Sequence, residues 1–243
     1  MKKLEKKKVI LTTTYSEYKK ISKTARQCGL VPFFFGCIKI KFLKFNPPDK
    51  KYDWVIFTSK NGVNAFFRGA EKRYINDKKI AAVGEKTADE INNFFGRKPD
   101  FVPKRFNSKD FFKEFKNKYN LKGLNVLIVT SDLSDNFLKK SFITHGAIVD
   151  KLVAYKTIRP EISISKKQRL VKNIKNSFIV FSSPSAFKNF IDMVGRKILK
   201  DAFAVPVGLK TKKSMDEYGI KSFFVPSEST FDCVFKSIKD YDF

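Results

Sequence analysis

The sequence predicts an α/β protein made of two copies of one parallel-sheet unit. Short, continuously apolar segments alternate with amphipathic segments along the 243 residues. Such apolar runs are typical of strands that are buried on both faces of a parallel sheet covered by helices. Three short motifs also recur in the same order in the two halves of the chain, which indicates an internal duplication.

The predicted strands are short and each precedes a helical pattern or a turn. They comprise residues 9–12, 54–57, 80–83, 126–129, 178–181 and 203–205. The first is followed by an amphipathic stretch, 16–28, which predicts a helix that ends at Gly29. The second is followed by a helix that carries Val63 and Phe66. The short connections between these segments are those of α/β units.

A strand end rich in hydroxyl groups, a Val-Gly-x-x-Thr turn and a Phe-Val-Pro segment each occur twice. The pairs are 57–59 with 181–183, 82–87 with 206–211, and 101–103 with 224–226. Their spacings are 181 − 57 = 124, 208 − 84 = 124 and 226 − 103 = 123 residues. The opening strands match at a smaller spacing, 146 − 29 = 117, measured between Gly29 and Gly146. The chain is therefore expected to hold two related units rather than one large sheet.

The chain is strongly basic, with 50 Lys and Arg against 24 Asp and Glu and a formal net charge of +26. Such a surplus attracts anions, which include nucleic acids, membrane surfaces and small molecules, although a lysine-rich codon usage explains it equally well. Neither the aromatic signature of RNA-binding domains nor a helix-turn-helix pattern is present, so no nucleic acid is expected as a partner. No apolar window approaches the ~18 residues of a membrane span, and no signal peptide or membrane partner is expected.

Cysteine and histidine are too sparse for several kinds of site. Cys28, Cys37 and Cys233 form no CxxC pair, and His145 is the single histidine. A disulfide framework and a Cys- or His-based metal site are therefore not expected, and a reducing cytoplasm is the expected compartment. The nucleophile elbow, the P-loop and the HExxH motif are absent as well.

Candidate ligand-binding residues follow the predicted strands of both repeats. In open parallel sheets ligands bind outside the carboxyl ends of the strands, where helix N-termini offer free N–H groups and a positive dipole end. Ordinary helix capping explains each hydroxyl residue as well, so both roles stay open. The candidates are Thr58, Ser59, Gly84, Thr87, Ser182, Ser183, Ser185, Gly208 and Thr211.

These motifs, taken together and in order, resemble the uroporphyrinogen-III synthase family over most of the chain. The matching segments are 53–63, 81–88, 102–103, 153–157, 180–186 and 225–226. The resemblance implies two Rossmann-like (flavodoxin-like) parallel-sheet domains that face each other across a cleft and are joined by a two-stranded linker. The implied division is 1–34 plus 160–243 for the first, discontinuous domain, 41–150 for the second, and 35–40 with 151–159 for the linker strands.

The resemblance also implies an activity. Family members cyclise hydroxymethylbilane to uroporphyrinogen III, with inversion of the D ring and loss of water, as cofactor-free lyases of porphyrin and heme biosynthesis. A monomer with transient contact to the preceding pathway enzyme is expected. A non-enzymatic two-lobed module that binds an anionic tetrapyrrole is the alternative.

Tyr155 is the expected catalytic residue, because it matches the family's linker tyrosine. A phenol there can protonate the departing hydroxyl group of the substrate. Packing within the linker is the alternative role for this side chain. The segments 12–14 and 130–131 carry threonine and serine where family members often have arginine, so an arginine clamp on the substrate is not expected.

Overall fold

The computed structural model of the protein describes residues 7–46, 48–70 and 72–241. The chain forms two compact units: unit 1 comprises Met1–Lys39 and Ile158–Phe243, and unit 2 comprises Ile40–Thr157. Residues 1–6 and 242–243, which the sequence division assigns to the first domain, lie outside the described residues. Most of the segment 151–159 belongs to unit 2, and its role as a linker stays a prediction.

Strands and helices alternate along most of the chain as the sequence predicts. The strands are β1 Lys8–Leu11, β2 Val31–Phe34, β3 Lys39–Phe42, β4 Trp54–Phe57, β5 Lys79–Ala82, β6 Asn125–Ser131, β7 Ile148–Ile158, β8 Ser177–Phe181 and β9 Ala202–Pro206. The α-helices are α1 Tyr15–Gln27, α2 Lys60–Gly69, α3 Glu85–Phe95, α4 Ser108–Lys118, α5 Phe137–Thr144, α6 Ile164–Ile174, α7 Pro184–Val194, α8 Leu209–Glu217 and α9 Phe231–Lys239. Short 3₁₀ helices comprise Lys72–Ile75 and Arg196–Asp201. No helix within the described ranges is long and apolar enough to cross a membrane.

Each unit is built on its own sheet. The strand order is β2-β1-β8-β9 in unit 1 and β3-β7-β6-β4-β5 in unit 2. The pairs β1–β2, β1–β8 and β8–β9 are parallel, and so are β4–β5, β4–β6 and β6–β7. The predicted α/β class with parallel sheets is thus confirmed.

The two sheets share a strand register as well as a strand order. Phe57 lies opposite Ala82, and Phe181 lies opposite Pro206, so that 181 − 57 = 206 − 82 = 124. On the other side, the pair Ile56–Ile128 corresponds to Val180–Leu11, with 180 − 56 = 124 and 128 − 11 = 117. These are the spacings at which the sequence motifs recur, and they are consistent with a duplication.

Both faces of the central strands of each sheet are buried, which explains the continuous apolar runs. In β4, Val55 and Phe57 pack into one cluster, whereas Trp54 and Ile56 pack into another on the opposite face. Alternate side chains of a strand point to opposite faces, so a strand covered on both sides has no polar position. In unit 1, β8 divides in the same manner between two clusters.

A carboxylate on strand β7 makes the stability of unit 2 depend on pH. The buried Tyr52 donates its hydroxyl proton to Asp150 at 2.7 Å, and Lys50 lies 2.9 Å from the same oxygen. The hydrogen bond from Tyr52, followed by that from Lys50, holds the pKa of Asp150 below its usual value. Because the unfolded pKa is higher, at ~3.9, the carboxylate stabilises the fold above that pH. This contribution is lost as the pH falls through the folded pKa.

Replacing Asp150 with asparagine is therefore expected to lower the free energy of unfolding at pH 7 by about 1 kcal/mol, since solvent screens this half-exposed pair. The difference from the parent chain should shrink below pH ~4. Urea unfolding at pH 7 and pH 3 measures both values. The exposed Asp89→Asn variant is the control for the change of charge and should alter the free energy of unfolding at pH 7 by less than about 0.5 kcal/mol. An equal loss at both pH values for Asp150→Asn would contradict the assignment.

Candidate active site

Ser59 connects a helix N-terminus to the predicted catalytic tyrosine in unit 2. Its hydroxyl oxygen accepts a hydrogen bond from the Gly62 N–H at 3.1 Å and so caps α2. The same oxygen lies 2.8 Å from the hydroxyl oxygen of Tyr155. Tyr155 is only 7% exposed. The structure thus brings together two predicted site residues that are 96 positions apart in the sequence.

An irregularity in β7 places this tyrosine. Val153 pairs with Thr130, but the next pair is Tyr155 with Ser131, so Ala154 is an extra residue on β7. Such bulges turn a side chain away from the face that simple alternation would give it. Ala154 and Tyr155 accordingly pack into the same apolar cluster although they are adjacent in sequence. The phenol hydroxyl therefore reaches the serine that follows β4.

Thr58 joins the carboxyl ends of β4 and β6. Its hydroxyl donates to the Val129 carbonyl at 3.1 Å and lies 3.1 Å from the hydroxyl of Thr130. Sequence reasoning missed Thr130, which it considered only as a position without arginine. A hydroxyl residue at the end of a second central strand was the signal that could have identified it.

Unit 1 holds the corresponding serines in a different hydrogen-bond arrangement. Ser183 caps α7 by accepting from the Ala186 N–H at 3.1 Å, and Ser185 lies in the first turn of that helix. The Ser182 N–H donates to the hydroxyl of Thr12 at 3.4 Å, and Thr12 donates to the Val180 carbonyl at 2.8 Å. Thr12 is fully buried and was also missed.

The tyrosine has no counterpart in unit 1. At the spacing that relates the opening strands, 155 − 38 = 117, position 38 is isoleucine, and when the extra residue Ala154 is left out of the count the aligned position is Cys37. Neither side chain has a hydroxyl that could reach Ser183. The two capping serines therefore share one structural role, and only Ser59 has the additional contact with a phenol.

Removing the two serine caps should separate these roles. Ser59→Ala and Ser183→Ala are each expected to lower the free energy of unfolding by about 1 kcal/mol, because each leaves a first-turn N–H without its cap. Only Ser59→Ala should shift the ring resonances of Tyr155 in NMR spectra of the folded protein. Urea unfolding and ¹H–¹³C spectra measure the two effects. Unchanged Tyr155 resonances in Ser59→Ala would contradict the hydrogen bond.

The two glycine turns start helices without a side-chain cap. Gly84 precedes α3 and Gly208 precedes α8, each with extended backbone, and neither N-terminus receives a side-chain hydrogen bond. The N–H groups of Thr87 and Thr211 bond back to the carbonyls of these glycines at 3.0 Å. The first two N–H groups of each helix precede these bonds and form an anion-binding geometry.

Close approach, not backbone conformation, requires glycine at position 208. A methyl group there would lie 2.5 Å from the hydroxyl oxygen and 3.0 Å from the Cβ of Ser229. At Gly84 the nearest atom would be the Cβ of Phe106 at 3.4 Å, an ordinary contact. Thr87 and Thr211, in the following turns, are both buried.

Each unit thus collects its own predicted residues at the carboxyl edge of its sheet. The adjacent strands β4 and β5 lead to Thr58, Ser59 and the Gly84 turn, and β8 and β9 lead to their counterparts. Within residues 7–46, 48–70 and 72–241, no group of three or more His, Cys, Asp or Glu side chains is arranged to hold a metal ion. The carboxyl edge of each sheet offers hydroxyl groups and helix N-termini, and that of unit 2 offers the phenol of Tyr155 as well.

Comparisons with known proteins agree with one another. The family model described as uroporphyrinogen-III synthase HemD matches residues 19–236. A protein of Methanocaldococcus jannaschii that is provisionally named a uroporphyrinogen-III synthase is 29% identical over 243 residues, or 96% of this chain and 98% of that protein. The uroporphyrinogen-III synthase of Chlorobaculum parvum is 24% identical over 230 residues, or 90% of this chain and 93% of its own.

A solved structure shows the same fold. The crystal structure of uroporphyrinogen-III synthetase from Helicobacter pylori aligns over 96% of this chain and 98% of its own, with a TM-score of 0.73 and 16% identity. At that identity the likeness concerns the fold alone. The family model, however, covers residues 19–236, which is most of the sequence. The chain therefore belongs to the uroporphyrinogen-III synthase family.

Proposed function

We propose that this protein closes hydroxymethylbilane to uroporphyrinogen III, with inversion of the D ring and loss of water. Its membership of the family supports the proposal. The observation that carries it is the 2.8 Å contact between the hydroxyls of Tyr155 and Ser59 at the carboxyl edge of the unit 2 sheet. Loss of water, which makes the reaction that of a hydro-lyase, needs a proton on the departing oxygen, and a positioned phenol can supply it.

The hydrogen bonds around Ser59 are suited to this proton transfer. Because Ser59 accepts from the Gly62 N–H, its own proton can point to the oxygen of Tyr155. The Tyr155 proton is then available to the substrate hydroxyl. As the C–O bond breaks, water leaves with that proton and an azafulvene cation forms. Ser59 stabilises the Tyr155 phenolate until ring closure releases a proton, which returns to the Tyr155 oxygen.

The helix N-termini are suited to the carboxylates of the substrate. The chain carries a net charge of +26, and the substrate carries carboxylate groups that such a surface attracts. Lys86 and Lys210 stand in the first turns that follow Gly84 and Gly208, next to the open N–H groups. We assign substrate binding to these turns and to the other hydroxyl residues at the two sheet edges. They are Thr58, Ser59, Thr87, Ser182, Ser183, Ser185 and Thr211.

The product isomer tests the proposal. The protein is incubated with hydroxymethylbilane generated in situ, without added metal or cofactor, and the type I and type III isomers are separated. Formation of type III at a rate proportional to the protein concentration is the expected result. Only the spontaneous type I isomer would refute the proposal. Tight tetrapyrrole binding together with type I alone would instead support a non-enzymatic two-lobed binding module.

The proposal extends to the setting in which the enzyme works. We infer a monomer that contacts the preceding pathway enzyme transiently, since the linear substrate is otherwise exposed to spontaneous closure. A cytoplasmic location is part of this proposal and is supported by the free thiols of Cys28, Cys37 and Cys233. Sedimentation with and without the preceding enzyme tests both parts of the association.

A further inference from the structure

A cavity of about 690 Å³ opens in unit 1 beside the edge strand β9. It lies between the 3₁₀ helix Arg196–Asp201, the first half of β9 and the segment 218–223 that follows α8. Helix α8 starts at the carboxyl ends of the strands and runs back along the sheet. The cavity therefore lies near the amino end of β9, whereas Ser183 and Gly208 follow the carboxyl ends of β8 and β9. Its size is within the range of about 300–1,000 Å³ that is typical of small-molecule sites.

The cavity combines an apolar floor with a basic rim. Its apolar lining residues include Leu199, Ile220 and Phe223. Arg196, Lys200 and Lys221 stand at the rim and are exposed. The described residues that line the cavity include no aspartate or glutamate. An anion with an apolar body matches this distribution of charge and surface.

The other unit shows which group is missing from the cavity. In unit 2, the Asp100 N–H donates to the Ile80 carbonyl at 2.8 Å, and the Asp100 carboxylate accepts from the Ile80 N–H at 2.7 Å. In unit 1, the Phe223 N–H donates to the Ala204 carbonyl at 2.8 Å in the same manner. Ala204 is the counterpart of Ile80, since 204 − 80 = 124.

Phe223 therefore occupies the position of Asp100 and has no side-chain oxygen to offer. The N–H and carbonyl of one strand residue point to the same side of the strand. Because the Ala204 carbonyl points to Phe223, the Ala204 N–H points to the same side, where the cavity lies. This N–H lacks a carboxylate acceptor such as Asp100 provides for the Ile80 N–H in unit 2. Arg196, Lys200 and Lys221 line the same cavity as Ala204.

We propose that the cavity binds a small carboxylate with a flat apolar body, and that the ligand's carboxylate accepts from the Ala204 N–H as Asp100 does from Ile80. The apolar body lies against the apolar lining residues Leu199, Ile220 and Phe223, and Lys200 and Lys221 face the negative charge. The site is separate from the residues of the proposed synthase reaction, so that occupancy of the cavity and turnover by the synthase can be measured independently.

The test uses 1-pyrenebutyrate as the probe and 1-pyrenebutanol as its uncharged analogue, with the full chain. The acid is expected to bind at least 10-fold more tightly than the alcohol in fluorescence titrations. It should also move the Ala204 amide proton downfield in ¹H–¹⁵N spectra, because that N–H gains a charged acceptor. Equal affinity for acid and alcohol, or an unmoved Ala204 amide at saturation, would overturn the proposal.

A pair of variants with matched charge separates this site from general electrostatics. Lys200→Glu/Lys221→Glu should weaken binding of the acid at least 10-fold and leave formation of the type III isomer unchanged. Lys20→Glu/Lys23→Glu, on the exposed face of α1 beside the other edge of the sheet, carries the same change of charge and should leave binding unchanged. Equal weakening by both variants would refute the site.

Discussion

Replacing Tyr155 with phenylalanine is expected to lower kcat for formation of the type III isomer about 100-fold, at the lower end of what a general acid contributes. The ring that packs into the unit 2 core is kept, so the change removes only the hydroxyl that contacts Ser59 at 2.8 Å. The folded protein should lose only about 1 kcal/mol of stability, the net value of one hydrogen bond. Single-turnover kinetics with freshly generated substrate measure the rate of the chemical step.

Tyr74→Phe is the matched control for this experiment. The Tyr74 hydroxyl donates to the Pro48 carbonyl at 2.8 Å, and its ring packs against the same cluster. The control therefore loses a hydrogen bond of equal length in the same unit, and it should keep parental kcat. If Tyr155→Phe turns over at the parental rate, or if both variants slow equally, Tyr155 is not the proton donor.

Truncating Phe66 to alanine is expected to lower the free energy of unfolding by about 3–5 kcal/mol, the usual cost of a large cavity in a core. Phe66 is fully buried and its ring meets those of Phe57 and Phe45 at 5.5 and 5.9 Å. Trp54, the single tryptophan of the sequence, is buried in unit 2 as well. Its fluorescence during urea unfolding therefore reports on the unit that carries the substitution.

The repeat spacing of 124 provides a second position for the same test. Phe190, at 190 − 66 = 124, is fully buried against Phe35 and Phe181 in unit 1. Phe190→Ala should cost as much as Phe66→Ala when unfolding is followed by circular dichroism. The exposed Phe106→Ala should change stability by less than about 0.5 kcal/mol. A loss below 1 kcal/mol in Phe66→Ala would show that the core relaxes around the cavity.

The sequence predicts the strands of both sheets because burial on two faces leaves a local signature. Val55 and Phe57 face one cluster and Trp54 and Ile56 the other, so no position in β4 can be polar. The sequence motifs likewise recur at a spacing of 124 residues, and the paired strands of the two sheets show the same spacing. Both properties depend on residues that are neighbours in the chain or in a motif.

The geometry of the site depends on contacts that no local pattern records. The bulge opposite Thr130 decides that the Tyr155 hydroxyl meets Ser59, and nothing in the segment 153–157 signals an extra residue. The buried hydroxyls of Thr12 and Thr130 form bonds to partners 168 and 72 positions away. Sequence reasoning could therefore place hydroxyls at strand ends, but it could not say which of them pair.

The bridging hydroxyls at the two sheet edges bear on how relatedness between the halves is judged. In unit 2 the hydroxyl of Thr58 reaches from β4 to the carbonyl of Val129 in β6, whereas in unit 1 the hydroxyl of Thr12 reaches from the end of β1 to Val180 in β8. The strands β4 and β6 of unit 2 correspond to β8 and β1 of unit 1, so the same pair of strands is joined in both halves. The donor follows β4 in unit 2, but in unit 1 it follows β1, the counterpart of β6. A residue-by-residue alignment of the halves pairs Thr58 with Ser182 and Thr12 with Val129, so it records a shared hydroxyl at the first position and a divergence at the second. A hydrogen bond between corresponding strands is thus present in both halves although non-corresponding residues make it.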